Sequence, residues 1–112
     1  MEKSYRVKKE IDFQTIIKNK QSFANRNFVV YFKENDQNAH FHVGISVGKK
    51  VGNAVKRNRV KRLIRHSLYE LRDEIKPTYD IILIARPSIS DLSFDEVKKN
   101  TRHVLNLANL IK

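Results

Sequence analysis

Between Lys49 and Arg65 the chain carries eight Lys or Arg and no acid, and the stretch Ala54 to Arg65, AVKRNRVKRLIR, reads as helix and nothing else. At about 100° per residue, Val60, Ile64, Leu68 and Leu71 fall within about 80° of one another, with Leu63 and Ser67 at the edge of that stripe. Asn58, Lys61, Arg62, Arg65 and Tyr69 collect on the opposite side, flanked by Arg59 and His66. Such a helix must press its aliphatic stripe into a core and hold a dense positive face in solvent. Like charges at i,i+4, as at Lys61 and Arg65, cost a few tenths of a kcal/mol per pair. Lys56, Arg57 and Arg59 also sit near the helix N-terminus, where the macrodipole disfavours cations. A face that is merely solvated usually mixes both signs, yet no Asp or Glu occurs among the 33 residues from 37 to 69. A binding requirement is the simplest account. The planar forks of Arg59, Arg62 and Arg65, with Asn58 beside them, suit phosphates and base edges, which points to nucleic acid before membrane.

Composition sets the frame for that helix. At 112 residues and 40% hydrophobic content, the chain suffices for one compact domain, residues 1–112, with a basic N-terminal arm over residues 1–9 that is loosely held. A formal charge of +11 makes the folded protein repel itself, and counterion release from a polyanion would offset this. Without cysteine there is neither a disulfide framework nor a Cys-ligated zinc site. The segment MEKSYRVKKEIDF has no apolar signal-peptide core, and no apolar run reaches membrane-spanning length, so a soluble, cytoplasmic protein without a membrane partner is expected.

The remaining elements follow from periodicity. Phe13, Ile16 and Ile17 stand at i, i+3 and i+4 in a short helix with one narrow apolar stripe. Ser22 to Lys33 is rich in β-branched and aromatic residues and reads as one long or interrupted strand; Glu34 to Ala39 is a turn. In HFHVGISVG, Phe41, Val43, Ile45 and Val47 alternate with His40, His42, Gly44 and Ser46, as in a half-buried strand. Gly48 and Gly52 bracket a loop, and Asn53 can cap the basic helix, which runs to about Leu71. YDIILIAR, apolar on both faces and closed by Pro87, is a central strand. Ser93 and Glu96 form a capping box for a last helix that reaches Ile111. The order αβββαβα implies a two-layer α/β sandwich in which the two long helices cover one sheet face. The short first helix covers only part of the sheet, which leaves a groove beside the basic helix.

No protein active site is legible. Cleaving a phosphodiester with protein groups needs clustered carboxylates or an acid and a base within reach of each other. The acids lie mostly at Glu70 to Asp80 and Asp91 to Glu96, and the four His are scattered. His40 and His42 share a strand face, but with no Cys or paired carboxylate nearby they read as surface histidines and no metal site is assigned. GKKVG is too short to be a P-loop.

Taken together, KKVGNAVKRNRVKRLIR resembles the signature of the protein subunit of bacterial ribonuclease P, with its Arg-Asn-Arg core at Arg57, Asn58 and Arg59 followed by Lys61, Arg62 and Arg65. Asp12-Phe13, Ala24-Asn25-Arg26, Phe28-Val29, Gly44-Ile45-Ser46-Val47 and Ala85-Arg86-Pro87 extend the likeness over nearly the whole chain. The resemblance implies a ribosomal-protein-domain-like fold with a left-handed crossover between parallel strands, against the usual handedness. It implies that the basic helix binds the catalytic RNA and that the 5′ leader of precursor tRNA lies in a cleft between the first helix and the sheet. Phe13, Phe28 and Tyr31 would be the cleft's apolar or stacking surfaces, with Arg26, Ser46, Lys49 and Lys50 near leader phosphates. Ile17 stands where many relatives have a second aromatic. Catalysis would reside in the RNA, with Mg2+ required by the holoenzyme and held mainly by that RNA. The plain alternative for each cleft aromatic is core packing, and Arg57, near the buried edge, could equally pair with a carboxylate or a strand carbonyl. A ribosomal-RNA-binding protein without a catalytic role is the competing reading. A DNA-binding helix-turn-helix fares poorly, because the basic helix follows a strand and a glycine loop.

Overall fold

Seven main elements appear in the computed structural model, which describes residues 3–7 and 9–112: α1 (Glu10–Lys18), β1 (Ser22–Ala24), β2 (Phe28–Glu34), β3 (His42–Val47), α2 (Ala54–Leu71), β4 (Tyr79–Ala85) and α3 (Phe94–Leu107). The sheet order is β1-β2-β4-β3, with β1/β2 and β2/β4 antiparallel and β3/β4 parallel. The parallel pair is joined through α2. YDIILIAR accordingly occupies a central position between β2 and β3, and the αβββαβα order is the one expected.

Register divides the sheet residues between two environments. Phe28–Ala85–Val47, Val30–Leu83–Ile45 and Phe32–Ile81–Val43 form three cross-strand rows on one face. That face meets Val60, Ile64 and Leu68 of α2 and Val97, Val104 and Leu105 of α3, all six fully buried. The opposite face carries the rows Val29–Ile84–Ser46, Tyr31–Ile82–Gly44 and Lys33–Asp80–His42, and α1 lies over it against β2 and β4.

The helix ends are set by local chemistry. Asn53 accepts the Lys56 amide at 2.9 Å, capping α2. Ser93 and Glu96 make the reciprocal capping box on α3, and the hydrogen bond from the Ser93 amide holds the Glu96 carboxyl below its ordinary value. α3 stops at Leu107, four residues before the expected Ile111, because Asn109 adopts φ 58°. The Leu110 amide then returns to Leu105 and that of Asn109 to Asn106, which satisfies the last carbonyls of the helix. Beyond this stop, Ile111 bridges Ile75 and the Lys76 amide donates to Leu110, tying the chain end to the segment after α2.

Residues 22–33 do not run on as one strand. Asn25 Oδ1 accepts both the Asn27 and Phe28 amides, at 3.0 and 2.8 Å, and this side-chain-closed turn folds β1 back on β2. Asn25 Nδ2 reaches the Asn100 carbonyl at 3.0 Å, so the turn is also fastened to α3. The described part of the N-terminal arm is seated as well: the Val7 amide donates to Val43, and Tyr5 stacks on His40 at 3.9 Å.

On the outer side, α2 and α3 are stitched along a seam. Arg59 donates to the Ser90 and Leu92 carbonyls, His66 stacks on Phe94 at 4.3 Å, Lys98 bonds Glu70 at 2.8 Å, and Arg102 bonds Glu74 at 3.1 Å. Both members of successive pairs advance in sequence, so the two helices run in the same direction. The Lys98 hydrogen bond, with the charges of Lys98 and His66, holds the Glu70 carboxyl below its ordinary 4.5.

Two outcomes follow from this packing. Ile64→Ala should lower unfolding free energy by about 2 to 5 kcal/mol through a core cavity, read by denaturant titration. Because the folded-state value of Glu70 is depressed, its contribution is present above the ordinary carboxylate range and is lost as pH falls through the depressed value. The Tm difference between the parent chain and Glu70→Gln should therefore be open at pH 7 and close in acid; a gap that widened in acid would contradict the assignment.

Candidate nucleic-acid interface

The interface begins where β3 hands over to α2. Lys49–Val51 forms one 3-10 turn, after which Gly52 takes φ 154°, a conformation that suits glycine, and Asn53 starts the helix. Burial of Val60, Ile64, Leu68 and Leu71 then fixes the rotation of α2. Asn58 and Arg62 are exposed, and Arg57, Lys61 and Arg65 half-exposed. Among the described residues none of Arg57, Lys61, Arg62 and Arg65 has a carboxylate within ion-pair distance. Lys56 lies 3.9 Å from the exposed Asp91, a pair of little energetic weight.

Two arginines behave in ways that their helix positions do not reveal. Arg59 spends two of its N–H donors on the Ser90 and Leu92 carbonyls, at 3.3 and 3.1 Å. It therefore fastens the loop before α3 as well as facing outward. Arg57 has neither the carboxylate nor the strand carbonyl that its position allowed, and its buried Nε has no partner.

Beside α2 lies the expected groove, about 420 Å³, between α1 and the sheet. Phe13, Ile17, Ser46, Ile82 and Ile84 line it, and Lys61 enters it from α2. The floor depends on Gly44. A Cβ there would collide with the Phe13 ring and lie 2.9 Å from Ile82 Cδ1, so the bare backbone is what lets α1 approach the sheet.

Of the seven residues expected in the cleft, Phe13 and Ser46 line this groove, and Tyr31 shares its sheet face, half-buried in the middle row. Phe28 does not take part. It is fully buried in the core on the helix-covered face, because the Asn25 turn sets the β2 register so that Phe28, Val30 and Phe32 point inward together. Arg26, Lys49 and Lys50 are exposed at the sheet end that holds Ala85 and Val47, outside the groove lining; the Arg26 carbonyl accepts the Ser88 hydroxyl at 2.9 Å. Lys61, Ile82 and Ile84 were not singled out as groove residues. A signal for the isoleucines was present in YDIILIAR, whose second apolar face exceeds what one short helix can cover. His40 and His42 are engaged rather than free: His40 Nδ1 lies 2.8 Å from the Phe41 carbonyl, and His42 Nδ1 is 3.0 Å from Asp80.

The ribonuclease P family model matches residues 1–109. The chain belongs to the ribonuclease P protein family. It is 62% identical over 111 residues to the ribonuclease P protein component of Enterococcus faecalis, covering 99% of this chain and 94% of that one. Among solved structures, the Staphylococcus aureus ribonuclease P protein superposes with a TM-score of 0.89 at 44% identity, covering 98% of this chain and all of that one. The Thermotoga maritima protein gives 0.82 at 30% identity, covering 91% and 96%. As a ribonuclease P protein component, the chain has its part in an endoribonuclease holoenzyme and in tRNA processing. None of its helices, over the described residues, is long and apolar enough to cross a membrane.

In this ribonuclease P protein, Gly44→Ala should push Phe13 and α1 off the sheet at a cost of about 1 to 3 kcal/mol. The check is a melt combined with amide shifts of α1, which should move together while those of α2 and α3 stay in place.

Proposed function

We propose that this chain serves ribonuclease P by holding the catalytic RNA against the outward side of α2 and the 5′ leader of precursor tRNA in the groove beneath α1, promoting removal of the leader and formation of the mature tRNA 5′ end. Arg57, Asn58, Lys61, Arg62 and Arg65 supply the RNA-binding side, with Arg59 shared between RNA and the Ser90–Leu92 loop. Phe13 and Tyr31 offer surfaces on which unpaired bases stack, and such contacts tolerate any leader sequence. Lys61 belongs to both surfaces, so the backbone of the leader and that of the catalytic RNA meet along one line of positive charge. The observation that carries this reading is that Arg57, Lys61, Arg62 and Arg65 have no acidic partner among the described residues, beside a groove that Lys61 helps to line.

On this reading the phosphodiester is cut by the RNA, and the Mg2+ that the reaction needs is held mainly by the RNA. The protein lowers the requirement for that ion by neutralising phosphates and raises substrate affinity through the leader. These roles require salt-sensitive binding, because each phosphate contact releases counterions.

Reconstitution tests it. At low magnesium, adding the protein to the cognate catalytic RNA should accelerate processing of precursor tRNA, and absence of acceleration would reject the reading. Arg62→Ala should weaken RNA affinity and reduce the slope of log K against log salt by about one contact, with an unchanged melt. Arg59→Ala should weaken RNA binding and lower the Tm, since it also frees two loop carbonyls. An unchanged salt slope in folded Arg62→Ala would remove that residue from the interface.

A further inference from the structure

The outward side of α2 ends on an aromatic ring for which neither the core nor the phosphate contacts have a use. Asn58, Arg62, Arg65 and Tyr69 follow one another at spacings of four, three and four residues, so they form a single line along the helix. Tyr69 stands about 6 Å beyond Arg65 on that line, one turn nearer the helix end. It is 46% exposed, whereas Leu68 beside it is fully buried. Phe23 is equally exposed but stacks on Phe32, and no aromatic ring among the described residues stacks on Tyr69.

The ring is nevertheless held in place. The Arg72 amide and Arg72 Nη1 both donate to the Tyr69 carbonyl, the second at 2.6 Å, and the Arg72 guanidinium lies 4.0 Å from the ring centroid. A cation anchored to the backbone therefore covers one face of the ring, and the exposed area belongs to the other face and the edge. Drawing π density toward the guanidinium leaves that open face electron-poor, which favours an electron-rich base over it. Aromatic rings and guanidinium planes are the surfaces on which unpaired RNA bases stack.

Charge around the ring selects the part of a nucleotide that fits there. Toward the helix start stand Arg62 and Arg65, with no acidic partner among the described residues; on the other side Glu70 adjoins Tyr69 and Asp73 is exposed one turn on. A phosphate is drawn to the two arginines and disfavoured by the acids, while a neutral base meets no such penalty.

We propose that Tyr69, backed by Arg72, is a stacking platform for one unpaired nucleobase of the catalytic RNA, whose adjoining phosphates lie on Arg62 and Arg65. The proposal rests on the proposed function, because the RNA must run along the outward side of α2. Precursor tRNA is the less suitable source of the base: Tyr69 lies two turns beyond Lys61, the α2 residue that enters the leader groove, and is turned about 80° from it. Stacking also differs in kind from the arginine contacts. It releases no counterion, so it adds affinity that salt does not remove.

The test measures binding of the catalytic RNA alone, against salt concentration, for the parent chain, Tyr69→Leu, Tyr69→Phe and Arg62→Ala. Leucine is a good helix former at this exposed position, so the melt of Tyr69→Leu should match that of the parent. Tyr69→Leu should weaken binding by about tenfold or more at every salt concentration, with an unchanged slope of log K against log salt. Tyr69→Phe keeps the ring and should bind within about twofold of the parent. One unpaired base of the RNA should be protected from chemical modification by the parent and by Tyr69→Phe but not by Tyr69→Leu, and absence of such a base overturns the proposal. Parent-like affinity in Tyr69→Leu also overturns it, while Arg62→Ala that still weakens binding leaves the proposed function standing. Equal losses in the Leu and Phe variants would assign the effect to the hydroxyl, and a reduced slope in Tyr69→Leu would assign it to a displaced cation; either outcome sinks the stacking platform. A defect seen only when the holoenzyme binds precursor tRNA would give the platform to the substrate and overturn its assignment to the catalytic RNA. Unchanged affinity and slope in all three variants strikes the proposed function itself.

Discussion

Burial of the aliphatic stripe of α2 against the sheet governs everything else. Val60, Ile64, Leu68 and Leu71 are wholly inaccessible, and a helix is a rigid body, so fixing those four residues fixes where every cation on it points. At about 1.5 to 3 kcal/mol for each fully buried aliphatic side chain, the stripe outweighs the few tenths of a kcal/mol lost to each like-charge neighbour. The helix can therefore tolerate an outward charge pattern that would be unfavourable in isolation. Function is placed on the side of the helix that contributes least to stability, and the opposite side supports it.

The same logic explains the unequal cover of the two sheet faces. Two long helices close the face that holds Phe28, Val30, Ile81 and Leu83, and their seam of polar contacts lies outside that core. The other face receives one short helix whose closest approach is set by the absence of a side chain at Gly44. Either a longer helix or a bulkier residue at that position would change the floor of the groove. Partial cover here is what creates concave surface: α1 is narrow enough that a cavity remains on each side of it.

Much of this was legible from residue patterns because it depends on local chemistry. Asn53 and the Ser93–Glu96 box announce the starts of α2 and α3, since capping is a matter of three or four consecutive residues. The α2 faces follow from angular spacing alone, and the double-sided apolarity of YDIILIAR requires a central strand. What escaped depends on partners distant in sequence or on one side chain's choice between equivalents. Asn25 turning the chain back cannot be told from Asn25 within a strand until its oxygen is seen to accept two amides. That single turn decides the face of Phe28, and so removes it from the cleft. Arg59 looks like its neighbours on the helical wheel, and only the position of residues 90 to 92 discloses its second role. His42 and Asp80, 38 residues apart, meet because β3 and β4 are paired in parallel.

Charge is segregated in space as well as in sequence. Glu70 near the end of α2 and Glu74 just beyond it are held by Lys98 and Arg102 of α3 along the seam. Those pairs consume α3 cations and leave Arg57, Lys61, Arg62 and Arg65 of α2 without an acidic partner among the described residues. Acids four residues beyond Arg62 and Arg65, at positions 66 and 69, would have quenched them by i,i+4 pairing and stabilised the isolated helix at the expense of its anion affinity. Along α2 the close ion pairs thus lie at one end, with only the 3.9 Å contact between Lys56 and the exposed Asp91 at the other. A polyanion meeting the other end displaces water and counterions with only that weak, exposed pair to disturb, and the positive potential there is open to phosphate.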